Sequence, residues 1–169
     1  MLAVGNAQCP AVPNQDTSNL LDALTRAQFG TVYTSDGAGD GTVTQKGQLI
    51  ESGPNIKPDA TVKAIVDLKS SAIPLLISHL DDVPATRTLF DGKPAPLGYL
   101  ALDILTNIIA EPNPVFIPNC ADDGFGACID PKYYFRPDGS VAALKAVKQN
   151  WESLCSTGRL IFSYPNWWK

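Results

Sequence analysis

The feature that most constrains the fold is a run of apolar residues at helical spacing in the middle of the chain. Apolar side chains recur there every three or four positions: Leu97, Leu100, Ala101, Ile104, Leu105 and Ile108. This period predicts an amphipathic helix with one face in a core. Shorter patterns of the same kind predict helices over residues 59–69 and 72–80. Pro74 is compatible with the second of these because it falls in the first turn.

Two further helices are predicted toward the ends of the chain. The first is capped at residue 16 or 17 and ends before Gly30. The second begins at residue 138 or 140 and ends at Gly158. Between residues 31 and 45, two β-prone runs flank a loop of Gly and Asp residues, which predicts a small β-hairpin.

The chain has 169 residues, which is the size of one domain. We therefore expect a mainly α fold, with a single helical domain over residues 16–169 after an extended N-terminal arm over residues 1–15. Gly and Pro residues are concentrated near both ends and between residues 83 and 137, which predicts long ordered loops at 83–95 and 111–137.

A resemblance to a known repeat lies inside the helical centre. The stretch from Ala72 to Asp82 resembles the first helix of a HEAT-like repeat, which commonly begins with an apolar–Pro pair and ends at an acidic turn. Asp81 and Arg87 have the spacing of an Asp and an Arg that recur in that repeat's turn. Residues 96–110 are similar to its second helix, and residues 88–95 are an insertion that the regular repeat lacks. Over residues 58–110 the resemblance implies HEAT-like antiparallel helical hairpins and scaffolding rather than catalysis; another helical-hairpin fold is the alternative.

The chain contains four cysteines, and their spacing favours disulfides. Cys120 and Cys128 bracket a short Gly-rich loop that closes easily, and a Cys9–Cys155 bridge would tie the two chain ends together. This is one of three connectivities that four cysteines allow. Free buried thiols and a metal site are the alternatives, although zinc sites usually have Cys-x2-4-Cys pairs. Disulfides would stabilise the loops and indicate a periplasmic or extracellular location.

The first residues of the chain bear on its cellular location, and its net charge bears on the classes of partner it can bind. Residues 1–7 resemble the end of a secretory signal, with small residues before a cut after Ala7, although a basic region is lacking; an ordinary apolar arm is the alternative. The net charge is −4, which argues against nucleic acid and against an anionic lipid surface. No stretch is long and apolar enough to span a membrane.

Motifs for catalysis or cofactor binding are missing from the sequence. His79 is the only histidine, and no Gly-x-Ser-x-Gly motif accompanies it, so we expect it to be a partly buried structural residue. Aspartates in two Gly-rich loops are weak calcium candidates, although turn formation explains them as well; they are Asp36, Asp40, Asp122 and Asp123. No phosphate-binding or dinucleotide motif is present, and no cofactor is expected.

Aromatic residues outside the strong helices are the remaining signal for function. They form one cluster at 133–135 and another at the C-terminus, where Tyr164, Trp167 and Trp168 follow Phe162. These rings either fold back over the core or bind a partner, because Trp and Tyr dominate desolvated contacts.

The sequence therefore predicts a non-catalytic, exported, HEAT-like accessory subunit that docks onto a larger envelope-associated protein assembly. Its contact candidates are the C-terminal aromatic residues and the loop at 88–95. A small acidic inhibitor or immunity protein that blocks a secreted enzyme is the second hypothesis. A secreted hydrolase with scattered carboxylates is the third.

Overall fold

The structure is a computed structural model that describes most of the helical centre and part of both flanks. The described residues are 15–26, 29–33, 42–45, 48–52, 60–90, 93–109, 130–135, 140–158 and 160–164. Helices contain more of these residues than strands do, so the expectation of a mainly helical protein is confirmed.

Five α-helices and five strands follow one another in the part of the chain that the structure describes. The helices are α1 (Gln15–Arg26), α2 (Ala60–Val66), α3 (Ala72–Ser78), α4 (Leu97–Ile108) and α5 (Val141–Ser156). The strands are β1 (Phe29–Tyr33), β2 (Thr42–Gln45), β3 (Gln48–Ser52), β4 (Ala85–Phe90) and β5 (Lys93–Pro96). Short 3₁₀ helices span Lys69–Ser71 and Pro131–Tyr133.

Helix α4 is the centre of the hydrophobic core. Nine of its twelve residues are buried, because helices α1, α2 and α3 and strands β4 and β5 all contact it. The apolar spacing in the sequence thus identified the helix correctly. Helix α5 joins this core through α3 and is capped by Ser140, whose hydroxyl accepts a hydrogen bond from the Ala143 N–H at 3.3 Å.

The strands form one sheet in the order β3-β2-β1-β4-β5. β1 and β2 pair antiparallel, with Thr31 opposite Val43, so the hairpin expected near residues 31–45 is confirmed. The sheet extends beyond it on both sides: β3 adds to β2 antiparallel, and β4 adds to β1 in parallel. Strand β3 was not predicted from the sequence.

The region predicted as a loop over residues 83–95 is instead a β-hairpin, and that prediction was wrong. Strands β4 and β5 pair antiparallel, with Phe90 opposite Lys93. Only Asp91 and Gly92 separate the paired residues, and Asp-Gly is a strong two-residue hairpin signal. The prolines in this region had favoured a loop, but prolines are compatible with an edge strand such as β5. The insertion at 88–95 therefore belongs to the sheet.

Helices α3 and α4 meet through an unusually close backbone approach at Gly98. The Gly98 N–H donates to the Asp82 carbonyl oxygen at 2.9 Å, and the Leu97 N–H donates to that of Pro84 at 2.9 Å. A Cβ atom on residue 98 would lie 2.8 Å from the Leu80 carbonyl carbon and closer still to its oxygen. Glycine at this position therefore allows the turn after α3 to cap the start of α4 directly.

Candidate partner-binding site

The C-terminal segment returns to the core after α5 and lies beside the end of α4. Gly158 has a φ of 66°, the left-handed conformation that ends helices and favours glycine. Leu160 then enters the core with no exposed surface. Phe162 forms an antiparallel bridge with Ile109, and the Ser163 N–H donates to the Ile108 carbonyl oxygen at 2.7 Å. The backbone of residues 160–163 is therefore held in place against α4.

Two large apolar side chains of this segment remain on the surface. Ile161 is 39% exposed and Tyr164 is 41% exposed. The Tyr164 ring contacts the half-buried Phe162 ring edge-on, with centroids 5.0 Å apart. We call residues 160–164 the tail strand. Its backbone is anchored while its side chains are divided between core and solvent.

The tail strand contains one of the three predicted contact residues. Tyr164 lies on the surface, as a partner-binding residue must, whereas Trp167 and Trp168 lie outside the described residues. Ile161 was not predicted as a contact residue, although it adjoins the aromatic cluster in sequence and is also exposed.

The second aromatic cluster, at residues 133–135, is mostly part of the core. Tyr133 and Phe135 are buried, and Tyr134 is partly exposed. The Trp151 indole N–H donates to the Tyr133 carbonyl oxygen at 2.9 Å, and the rings of these two residues pack edge-on at 5.5 Å. This contact fixes the 3₁₀ helix against α5, because it satisfies the polar edge of a fully buried tryptophan.

The buried Tyr99 on α4 forms a side-chain hydrogen bond with Tyr134, which is partly exposed. Burial raises the pKa of Tyr99 well above its usual range, and the side-chain hydrogen bond to Tyr134 and the nearby Asp103 carboxylate raise the pKa further. The Tyr99 ring also packs edge-on against Phe135 at 6.3 Å. The Tyr99 phenol therefore stays protonated over the physiological pH range and acts as a structural hydrogen-bonding group.

A polar cluster at the end of α3 contains the only histidine of the chain. The His79 Nδ1 lies 2.5 Å from an Asp82 carboxylate oxygen, and both side chains are largely covered. From α5, the Lys148 ammonium donates to the Ser78 carbonyl oxygen at 2.7 Å and to the Asp81 carboxylate at 2.6 Å. Lys148 thus caps the C-terminus of α3 with a positive charge. The cluster links α3 to α5 and places His79 in a structural setting.

The sulfur of Cys155 is disulfide-bonded in the structure. It is fully buried near the end of α5, and its partner lies outside the described residues, as do Cys9, Cys120 and Cys128. The pairing of Cys9 with Cys155 and of Cys120 with Cys128 therefore remains a prediction.

The calcium candidates Asp36, Asp40, Asp122 and Asp123 also lie outside the described residues. Within the described ranges, no three or more His, Cys, Asp or Glu side chains converge as a metal site. Asp130, beside the predicted loop, accepts a hydrogen bond from the Lys132 backbone N–H, which lowers the pKa of its carboxyl group. That carboxylate caps the 3₁₀ helix.

Two further findings concern membrane-spanning helices and similarity to known proteins. Among the helices that the structure describes, none is long and apolar enough to cross a membrane. Comparisons with protein-family models, with curated proteins and with solved structures return no match. The tail strand and its exposed side chains are therefore the features of the described residues that bear most directly on function.

Proposed function

We propose that this protein is a non-catalytic, exported accessory subunit that docks onto a larger envelope-associated protein assembly through its C-terminal tail. The observation that carries the proposal is the anchored but exposed tail strand. Ile161 and Tyr164 are held on a fixed backbone, so a partner that binds them orders little additional chain. Tyr is also a residue type that dominates binding energy at interfaces. Trp167 and Trp168 follow three and four positions later in the sequence.

The helical centre supplies the scaffold for this surface. Under the proposal, α3 and α4 are the two helices of a HEAT-like hairpin, α2 belongs to the preceding unit and α5 is a capping helix. The direct contacts of α3 with both α4 and α5 support this arrangement. The β4–β5 hairpin replaces the short turn of the regular repeat, so Arg87 belongs to a strand rather than to that turn.

The proposal of export depends on the state of the four cysteines. Two bridges, Cys9–Cys155 and Cys120–Cys128, would stabilise the chain by about 2–4 kcal/mol each. Counting thiols in the unfolded, unreduced protein tests this directly. We expect none to react with a thiol reagent before reduction and four to react after it. Four reactive thiols before reduction would contradict both the bridges and the export.

Site-specific photocrosslinking tests the docking surface. A benzophenone amino acid replaces Tyr164 in one variant and Val141, which is 51% exposed on α5, in a matched control. In cells that produce the protein natively, we expect a discrete crosslinked product at residue 164 and none at residue 141. Loss of the product when Ile161→Ser is added would support a specific interface. Equal crosslinking at both positions would refute the assignment of the tail strand as the contact.

Truncation provides a second test of the same surface. Removing residues 163–169 deletes Tyr164 and the Ser163–Ile108 hydrogen bond, which is worth about 1 kcal/mol, and leaves Leu160 and Phe162 in place. We expect the helical circular dichroism to be retained and the association to be lost. If the truncated chain unfolds, these residues belong to the core and not to an interface.

The alternative function, an acidic inhibitor of a secreted enzyme, is favoured by the net charge of −4. Opposite charges accelerate association at low ionic strength. If a captured partner is a basic enzyme whose association rate falls steeply as salt is added, the inhibitor hypothesis gains over the accessory subunit. An association rate that is indifferent to salt would count against it.

A further inference from the structure

The turn after α3 carries both a pair of ionisable side chains and the backbone contacts that begin α4. The His79 Nδ1 lies 2.5 Å from an Asp82 carboxylate oxygen, and the Asp82 N–H donates to the His79 carbonyl oxygen at 3.1 Å. The Asp82 carbonyl oxygen accepts in turn from the Gly98 N–H at 2.9 Å. We call these contacts the α3–α4 junction. Because Asp82 takes part in all of them, a stronger side-chain pair also holds the first turn of α4 more firmly.

The charges at this end of α3 are balanced only when the imidazole is protonated. Asp81 and Asp82 carry two negative charges, and Lys148 from α5 brings one positive charge within 2.6 Å of the Asp81 carboxylate. These three groups therefore sum to −1, and an imidazolium at His79 brings the sum to zero. His79 also follows the last residue of α3, where the helix dipole favours a positive charge.

The elements packed against α3 carry several other ionisable groups. These elements are α4, α5 and the 3₁₀ helix Lys69–Ser71, and the groups are Lys69, Tyr99, Asp103, Lys145, Glu152 and Cys155. Lys69 precedes α3, at the opposite end of the helix from His79. Tyr99 interacts with Asp103 and with Tyr134. On α5, Lys145 and Glu152 are exposed, and Cys155 is disulfide-bonded. The two aspartates and Lys148 are therefore the charged groups at the His79 end of α3 in the described part of the chain.

We propose that the α3–α4 junction is a pH-sensitive element, which is held more firmly when His79 is protonated in mildly acidic surroundings. Histidine is the side chain whose charge ordinarily changes between about pH 5 and 8. A carboxylate only accepts hydrogen bonds, so Nδ1 is the donor, and a second proton on the ring adds the attraction of opposite charges. That attraction is strengthened because both side chains are largely covered from solvent. The inference does not depend on the proposed function.

The direction of the pH dependence follows from this pairing. If the folded chain binds the proton more tightly than the unfolded chain does, the free energy of unfolding falls as the pH rises. The added stability is complete below about pH 6.5, the ordinary midpoint of histidine, and is lost above it. A histidine that is buried without a favourable partner would give the opposite sign, because burial disfavours the charged ring.

Urea denaturation at about pH 5.5 and about pH 8 tests the proposal, because His79 is the only histidine of the chain. Between these pH values, we expect the unfolding equilibrium constant of the unchanged chain to rise about tenfold more than that of His79→Asn, whose amide can still donate to Asp82 but takes up no proton. Asp82→Asn should lose the same pH dependence although it keeps the histidine. Asp67→Asn removes an exposed carboxylate that pairs with Lys63; it is the control and should keep the pH dependence.

Hydrogen exchange at the Gly98 amide tests whether the side-chain pair acts on α4. Its protection, corrected for the intrinsic exchange rate, should fall about tenfold between the same pH values in the unchanged chain and stay constant in His79→Asn. The Leu144 amide, which donates to the Ser140 carbonyl oxygen at 3.1 Å in the first turn of α5, is the control and should show no such fall. Two results would each overturn the proposal: a urea response of the unchanged chain that equals or reverses that of His79→Asn, and Gly98 protection that does not change with pH.

Discussion

Replacing Gly98 by alanine is the sharpest test of the packing between α3 and α4. Alanine is the better helix former by about 1 kcal/mol, so propensity alone predicts a stabilised protein. The structure predicts the opposite, because the new Cβ would lie 2.8 Å from the Leu80 carbonyl carbon and 3.2 Å from the Asp82 oxygen. These atoms are backbone and cannot move aside as a flexible side chain can.

The size of the effect follows from the contacts that must shift. Overpacking costs about 1–3 kcal/mol, and moving α4 away weakens the hydrogen bonds that Leu97 and Gly98 donate, at about 1 kcal/mol each. After the gain in helix propensity, we expect a net loss of about 2–4 kcal/mol in the free energy of unfolding. For a domain of this length that corresponds to a melting temperature lower by about 4–16 °C.

Urea denaturation followed by circular dichroism measures this loss. Asn107, exposed on the same helix, provides the matched control: Asn107→Ala should be more stable than Asn107→Gly by about 1 kcal/mol, the ordinary preference of a helix. A Gly98→Ala protein that is as stable as the unchanged chain, with the control behaving as expected, would show that the close approach at Leu80 does not exist in solution.

Three further predictions concern single side chains. Lys148→Met should destabilise the protein by about 1.5 kcal/mol in urea denaturation, because it leaves the Asp81 carboxylate and the Ser78 carbonyl without their charged donor. The control Lys145→Met, on the exposed face of α5, should change stability by less than about 0.5 kcal/mol. Equal effects of the two substitutions would show that the contacts of Lys148 with Ser78 and Asp81 do not stabilise the protein. Because the pKa of Tyr99 is raised in the folded protein, the contribution of its phenol to the free energy of unfolding is complete below the ordinary pKa of 10.0 and is lost as the pH rises above that value. The stability of the unchanged chain relative to Tyr99→Phe should therefore fall by about 1.4 kcal/mol per pH unit from pH 10 upward. A difference that stays constant with pH would contradict the burial of the phenol. Lys69 has a φ of 55°, a left-handed conformation that costs energy for a residue with a Cβ atom. In the same denaturation assay, Lys69→Gly should therefore be about 1 kcal/mol more stable than Ser70→Gly, a substitution at the neighbouring position without a positive φ. The reverse order would show that the backbone at Lys69 is not strained.

The elements that depend on local pattern could be predicted from the sequence, and those that depend on partners far along the chain could not. The spacing of Leu97 to Ile108 identifies α4 because one buried face is enough to reveal a helix. Strands β3 and β4 have five and six residues, and each is stabilised by its neighbour in the sheet rather than by its own sequence. The Asp91-Gly92 pair was the one local signal for the β4–β5 hairpin, and the prolines around it outweighed that signal.

Polar contacts between residues far apart in the chain could not be predicted from the sequence either. Lys148 looks like a solvated helix residue in the sequence, and only the fold places it against Ser78 and Asp81, about seventy residues earlier. His79 could be predicted as structural because no motif accompanied it. Its partner Asp82 is three positions away, and the pairing follows from the turn that ends α3.

The tail strand explains why the choice between core and contact could not be made from composition. From the sequence, the C-terminal aromatic residues form one group that either covers the core or binds a partner. The structure divides this segment residue by residue: Leu160 is buried, Phe162 is half-buried, and Ile161 and Tyr164 are partly exposed. An extended chain directs successive side chains to opposite sides, which separates the buried Leu160 from the exposed Ile161, and Tyr164 follows the backbone contact of Ser163 with Ile108. A segment with this division stabilises the fold and presents a binding surface at the same time, and the two roles must be tested by different substitutions: Leu160 for the core, Tyr164 for the contact.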